Sequence, residues 1–337
     1  FGILPKEEML EVKQNFQRLS IGIPKESSFQ ENRIAITPSA VSLLTHNGHK
    51  IIIESEAGNQ ANFSDEEYSK SGAKIVFSKE EVYQSDIIVK IEPPTKSELK
   101  LLKKGQQLIS AIQLKTRDKE YFDTLLKKNI TSLAIEKIKD KEGKLSLLRC
   151  MGEIAGTTSL LIAAEYLSNV NGGKGLLLGS ITGVSPTDIV IIGAGTVGEF
   201  AARTAIGLGA NVRVFDNSLS RLRRLQQSLN QRISTSTIQP KSLRKALMRA
   251  DVAIGALRTG EGRTPCVVSD EMVEGMKEGS VIIDVSIDHG GCFETSEVTS
   301  HKSPIFIKHD VIHYCVPNIA SRVARTSSIA ICNIISP

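Results

Sequence analysis

The chain has 337 residues, about twice the usual size of one domain; 40% are apolar and 23% charged, which points to a soluble globular protein of two domains. Its net charge of +5 is small for this length, and the basic clusters at Lys103-Lys104 and at 221–224 carry no interleaved aromatic residues. This excludes a nucleic-acid footprint and leaves solvated helix faces.

Residues 1–19 mix polar and apolar side chains and read as a helical leader on the domain surface. A strand begins at 20–24, and strand and helix alternate from there. Strands are expected at 50–54, 74–77, 86–91, 106–112 and 130–134, with helices at 39–47, 65–70, 97–104 and 118–128. Gly48, Gly72 and Gly105 stand where helix C-caps belong. The alternation implies a parallel, doubly wound sheet, so the first part of the chain makes its own α/β domain. A long apolar-periodic helix over 153–170 then connects to a second domain through the loop Asn171-Gly172-Gly173.

The stretch 188–216, DIVIIGAGTVGEFAARTAIGLGANVRVFD, organises that second domain. An apolar run at 189–192 suits a strand buried on both faces. Gly193, Gly195 and Gly198 follow as G-x-G-x-x-G, with Thr196 and Val197 opening a helix that runs on through 200–208. A second strand at 211–215 ends at Asp216. In this context Gly193 permits a tight turn and Gly195 lets backbone N–H groups approach a pyrophosphate at the helix N-terminus. Gly198 lets helix and strand pack closely, and Asp216 can accept hydrogen bonds from a ribose. This is a dinucleotide fingerprint. Arg221 invites a reading as a 2′-phosphate ligand, but the Asp216 carboxylate would repel that phosphate, which favours NAD over NADP.

Helices at 220–230, 243–250 and 270–277 and strands at 233–237, 252–257, 281–286, 305–308 and 311–316 complete this domain. A last helix at 322–335 points out of it. The expected organisation is an α/β protein of two doubly wound parallel-sheet domains with a cleft between. Residues 1–146 plus 325–337 form a substrate domain and 147–324 a Rossmann dinucleotide domain. Open sheets bind ligands at the carboxyl ends of their strands, so the substrate belongs in the cleft. Both chain ends read as trimmed. The five cysteines (150, 266, 292, 315 and 332) lack C-x-x-C spacing and zinc-type pairing, which reads as reduced, mostly packed thiols in a cytoplasm without a metal site. No apolar run of about 18 residues and no signal peptide is apparent, so no membrane span is expected.

Several stretches together resemble the alanine dehydrogenase and pyridine-nucleotide transhydrogenase family. They are GIPKE (22–26), ENRIAITP (31–38), VKIEPP (89–94), VIIGAGTVG (190–198), VIIDVSIDHGGCFE (281–294) and YCVPNIASRVARTSS (314–328). The GGCFE run at 290–294 resembles alanine dehydrogenase rather than the GGN-type run of transhydrogenases, and the loop 139–147 lacks the Arg-Gln-Asp pattern of transhydrogenases. The resemblance implies oxidation of L-alanine to pyruvate and ammonia with hydride transfer to NAD, a homo-hexamer, and a chain running on past 337 to return to the first domain.

It also implies roles. Arg33 matches the arginine that binds the substrate carboxylate, and its planar fork suits that task. VKIEPP keeps Lys90 but places Glu92 where the family has its second lysine, so either Lys90 polarises the substrate or that lysine is absent. Gln113 stands where the family has its acid–base histidine, and an amide carries no proton at neutral pH. Asp288, at the end of the VIIDVSIDHGG stretch whose strand is expected at 281–286, remains as the clearest acidic group, with His289 beside it as an exposed loop histidine. Ala256 and Leu257 match a strand end beside a ribose, and Val316 and Asn318 match positions near the nicotinamide. Two further readings stay open: an NAD-binding transhydrogenase-like subunit or regulator without deamination, and a family oxidoreductase acting on an opine or saccharopine.

Overall fold

The computed structural model describes residues 18–114, 116–258 and 262–336; the expected leader falls outside them up to residue 17, as does Pro337. The first half runs β1 (Ser20–Ile23), α1 (Pro38–His46), β2 (Lys50–Glu54), α2 (Asp65–Lys70), β3 (Lys74–Val76), α3 (Lys79–Val82) and β4 (Ile87–Val89). It continues with α4 (Lys96–Leu101), β5 (Gln107–Ser110), α5 (Lys119–Lys127) and β6 (Thr131–Ala134). The six strands form one parallel sheet in the order β3-β2-β1-β4-β5-β6. Helix starts are chemically marked. Ser64 with Glu67, and Thr95 with Glu98, make capping boxes at α2 and α4, and Asp118 caps α5. α3 is one short turn that periodicity does not signal.

The 22-residue helix α6 (Ser146–Leu167) leads to β7 (Asp188–Ile192), α7 (Thr196–Gly207), β8 (Asn211–Phe215), α8 (Leu219–Leu229) and β9 (Ser234–Ser236). Then come α9 (Pro240–Leu247), β10 (Val252–Gly255), α10 (Asp270–Glu274), β11 (Val281–Asp284), β12 (Ile305–Lys308), β13 (Val311–Tyr314) and α11 (Ala324–Ile335). These seven strands make a second sheet in the order β12-β13-β11-β10-β7-β8-β9. The expectation of a wholly parallel sheet is corrected at its edge. β12 and β13 run antiparallel, because His309 and Asp310 both take the left-handed conformation that closes a tight hairpin.

α6 is longer at its start than the expected 153–170, and by length and composition it is long and apolar enough to cross a membrane, which corrects the expectation of no such stretch. Many of its apolar residues are instead core, although Leu161 is exposed. Leu160, Ile162, Ala163 and Leu167 pack with the second sheet's Ile189, Ile191 and Val252, and Leu147 with the first sheet's cluster. Small residues set its distance from α7: a Cβ on Gly156 would lie 2.9 Å from the Phe200 Cβ and 3.0 Å from the Ala201 nitrogen. α11 leaves the second sheet and buries Ile331 and Cys332 in the first sheet's core.

Each strand order reverses once, between β1 and β4 in the first sheet and between β7 and β10 in the second. At such a point the neighbouring crossovers leave on opposite faces and a crevice opens at the strands' carboxyl ends. The loops after β1 and β4 carry Arg33 and Glu92. Those after β7 and β10 carry the glycine turn and Ala256-Leu257.

Candidate active site between the two sheets

The glycine turn is built by exclusion. Gly193 has φ +119°, and a Cβ there would lie 2.5 Å from the Ala256 carbonyl carbon and 2.9 Å from the Leu257 nitrogen. A Cβ on Gly198 would overlap the Gly193 carbonyl oxygen. Gly195, the N-cap of α7, meets nothing within 4 Å, and no side chain caps the helix. Thus two glycines serve packing and the third faces open space before uncapped helix N–H groups. That is the cradle a pyrophosphate needs, and Thr196 and Val197 open the helix beside it.

Asp216 is 3% exposed and accepts from the backbone N–H groups of Ala194 (2.8 Å) and Ser218 (2.7 Å). It therefore braces the glycine turn. Beside it a cavity of about 480 Å³ is lined by Asp216, Ser218, Arg221, Ile238, Leu257 and Arg258, among others. Arg221 Nη1 stands 3.8 Å from the Asp216 carboxylate, so this cation is already partly neutralised. If the reading of Asp216 as a ribose acceptor holds, Asp216→Ala is expected to weaken NAD by about 1–3 kcal/mol, the scale of lost charge-assisted hydrogen bonds, and to narrow any gap to NADP. Titration calorimetry with both dinucleotides checks this; unchanged NAD affinity would leave Asp216 with the brace alone.

The other half of the site comes from the first sheet. Arg33 is buried in a two-pronged pair with Glu31: its Nε donates to Glu31 Oε1 at 2.7 Å, and its Nη2 contacts Oε2. Glu31 Oε2 also accepts from Asn318 Nδ2 at 3.1 Å, and the Asn318 N–H donates to Asp288 Oδ1 at 2.9 Å. Arg33, Glu31, Asn318 and Asp288 thus form one chain of contacts across the seam. Gln30 latches the same seam, donating to the Thr299 carbonyl (3.3 Å) and accepting from the His301 N–H (2.9 Å).

Asp288 is not at a strand end. β11 stops at Asp284, whose buried carboxylate accepts from Ser286 and Cys292 N–H groups and Ser296 Oγ, turning 285–289 into a 3-10 segment. His289 closes this segment, exposed. Asp288 keeps solvent-exposed surface, yet crowding by the cleft walls raises its carboxyl above the ordinary range, against the pull of the Asn318 N–H and His289. Val316 is buried just past β13.

Lys90 lies away from the cleft, inside the first domain. It is 1% exposed, its Nζ lies 2.8 Å from Glu98 and 3.6 Å from Glu26, and no cleft surface reaches it. Burial opposes charge on Glu98, but Lys90, the Thr95 N–H and Lys79 outweigh it and pull its carboxyl down to about 2. On Glu26 burial wins over Lys90 and the carboxyl rises to about 7. Lys90 is accordingly the centre of a buried ion cluster. Gln113 lies past β5 with φ +51° and donates its amide to Glu92 Oε2 at 2.8 Å. Motif reasoning assigned no role to Glu31, Glu98 or Arg117. For Glu31 a signal existed, because it sits inside ENRIAITP itself.

Two family models match this chain. Alanine dehydrogenase/PNT, N-terminal domain, matches residues 22–155, and Alanine dehydrogenase/PNT, C-terminal domain, matches 159–337. The chain belongs to the alanine dehydrogenase/PNT family. An alanine dehydrogenase of Mycolicibacterium smegmatis is 40% identical over 318 residues, 94% of this chain and 85% of that protein. A solved L-alanine dehydrogenase superposes with a TM-score of 0.87 at 37% identity, covering 95% of this chain and 88% of that one. A transhydrogenase from Sinorhizobium meliloti superposes at 0.82 with 23% identity over 94% and 92% of the two chains, a likeness of fold alone. This member of the alanine dehydrogenase/PNT family is an oxidoreductase resembling alanine dehydrogenase, and its cofactor class is a nicotinamide dinucleotide.

Proposed function

We propose that the protein is an NAD-dependent amino-acid dehydrogenase that binds its substrate at the seam between the two sheets, in the cytoplasm and as a homo-oligomer, a hexamer by resemblance. The observation that carries this is the contact chain from Arg33 and Glu31 through Asn318 to Asp288, set at the first sheet's switch point. Residues 1–146 plus 325–337 then act as the substrate domain and 147–324 as the dinucleotide domain. Gly195, Thr196 and Val197 hold the pyrophosphate, Asp216 the ribose with Arg221 at its rim, and Ala256, Leu257, Val316 and Asn318 flank the rest of the dinucleotide. The bound nicotinamide supplies the hydride acceptor. Arg33 orients the substrate carboxylate, exchanging part of its pairing with Glu31 for it, and Asp288 stands at the open side of the cleft.

Activity toward alanine itself is low on this reading. Arg33 is engaged by Glu31 and Lys90 is buried among carboxylates. The family's second lysine and its histidine are Glu92 and Gln113. The double variant Glu92→Lys/Gln113→His replaces the native pair with the family's lysine and a histidine that can itself carry the proton; it is expected to raise turnover of alanine, though not of the native substrate, by 10-fold or more, a modest share of the ~10²–10⁴ a positioned acid–base group contributes. Steady-state NADH formation over a panel of amino acids, beside calorimetric NAD binding, decides it. Dinucleotide binding with no turnover of any amino acid would favour the regulator reading, which Glu92 and Gln113 also suit.

A further inference from the structure

We propose that Glu92 is the proton-transferring and specificity-determining group of this site, receiving a proton from the substrate's ammonium nitrogen, with Gln113 as the residue that positions it. This rests on the reading that an amino acid binds at the seam. The two departures from the family pattern are one structural unit. The hydrogen-bonded ladder continues past β4 and β5 through Lys90 N–H to the Ile109 carbonyl (3.0 Å) and Ala111 N–H to the Ile91 carbonyl (2.9 Å). Glu92 and Gln113 therefore leave adjacent strands side by side, next to the switch point between β1 and β4.

Gln113 is aimed. Its amide oxygen accepts from Arg117 Nη2 at 3.1 Å and from Thr116 Oγ1 at 3.3 Å, and Arg117 can only donate. That leaves the amide nitrogen for Glu92 Oε2 at 2.8 Å. The Gln113 backbone is held as well: its own N–H and that of Ile112 donate to Glu136 at 3.1–3.2 Å. A carboxylate oriented by a clamped amide repeats the arrangement of a catalytic base with its orienting partner. Glu92 is partly exposed, so a substrate can reach it.

The charges around it suit the task. Burial and the Glu31 carboxylate raise Glu92 above the ordinary carboxylate range, against Arg33, the Gln113 hydrogen bond and Arg117. Glu26 lies near on the loop after β1, with its charge shared by Lys90, and Asp288 faces Arg33 from the second sheet. A base whose pKa lies nearer neutrality transfers protons more effectively. A carboxylate at this point, where the family carries a cation, also favours substrates that present an ammonium over those that present a carbonyl oxygen. In the step, an N–H bond of the ammonium breaks and a Glu92 O–H bond forms. The hydride leaves Cα for the oxidised nicotinamide, and the carbon becomes an iminium that water converts to a 2-oxo acid and ammonia.

The test compares wild type with Glu92→Gln, Glu92→Asp, Gln113→Leu and Asp288→Asn in the whole chain, using the best amino acid of the panel. Glu92→Gln is expected to lower kcat/KM by 10²–10⁴-fold and to remove the acid limb of its pH profile, with NADH affinity unchanged. Glu92→Asp keeps the limb. Gln113→Leu moves it to higher pH, because the lost hydrogen bond had favoured the charged form; a merely structural role would leave the limb in place. Retention of turnover and limb in Glu92→Gln, or their loss in Asp288→Asn alone, overturns the proposal. If wild type turns over no amino acid, the functional reading fails and calorimetry on the NADH-loaded protein judges Glu92 separately. Amino-acid binding that strengthens in wild type as rising pH ionises Glu92, but not in Glu92→Gln, upholds it, whereas the same pH dependence in both proteins, or no binding, overturns it.

Discussion

Gly198→Ala is expected to abolish measurable dinucleotide binding, with affinity down 100-fold or more, and to cost about 3 kcal/mol of stability. The reason is backbone against backbone. The added Cβ would overlap the Gly193 carbonyl oxygen and lie 2.9 Å from its carbon, and neither atom belongs to a side chain that can rotate away. α7 must then lift from the end of β7, which displaces the uncapped N–H groups at Gly195 and the turn that Asp216 braces. Gly207→Ala is the control. It sits on the same helix with nothing within 4 Å of its Cβ position, so it should be neutral or stabilise by ~0.5–1 kcal/mol through helix propensity. NADH fluorescence titration and urea unfolding of both variants read the difference. Normal NADH affinity in Gly198→Ala would refute the close-packing account of the turn.

Lys90→Met should destabilise the protein by about 3–5 kcal/mol at pH 8, the cost of removing one member of a buried ion cluster. Methionine fills the volume, but Glu98 loses its 2.8 Å partner and Glu26 its 3.6 Å one. The sign of the pH dependence follows from both carboxylates. Glu98, held down at about 2, contributes stability that is present above the ordinary carboxylate pKa and is lost as pH falls through about 2. Glu26, raised to about 7, is costly to ionise, and this cost grows as pH rises from about 4.5 to about 7. Without Lys90 both carboxylates take up protons more readily, so the gap between variant and wild type narrows at pH 5. Adding Glu98→Gln should recover part of the loss. Urea unfolding at the two pH values measures this, and a gap independent of pH would mean that packing, not charge, dominates at Lys90.

The strand and helix alternation was legible in the sequence because each element carries its own signal. Lys50–Glu54, Asp65–Lys70 and Ile305–Lys308 have the residue bounds expected from their apolar runs and caps. Errors collect where a side chain from elsewhere ends an element. β11 stops two residues early because the Asp284 carboxylate draws in the Ser286 and Cys292 N–H groups. α6 begins at Ser146 instead of 153, because packing on both cores extends a helix beyond its own periodic stretch.

What the sequence determined by itself is the glycine turn and the acid that follows β8. A positive φ, a close backbone approach and a helix N-terminus are set by residues within a few positions of one another, so their spacing alone carries them. What only the tertiary structure decided is which charges meet. Lys90 and Arg33 read alike as cationic candidates, yet one is enclosed by Glu26 and Glu98 and the other lies on the seam with Glu31, whose second oxygen Asn318 reaches from the far sheet. Glu92 and Gln113 read as two separate losses, 21 positions apart, until adjacent strands place them in one hydrogen bond. A carboxylate's pKa and its partners depend on desolvation and on charges brought within a few ångströms by the fold, and no local pattern along the chain encodes them.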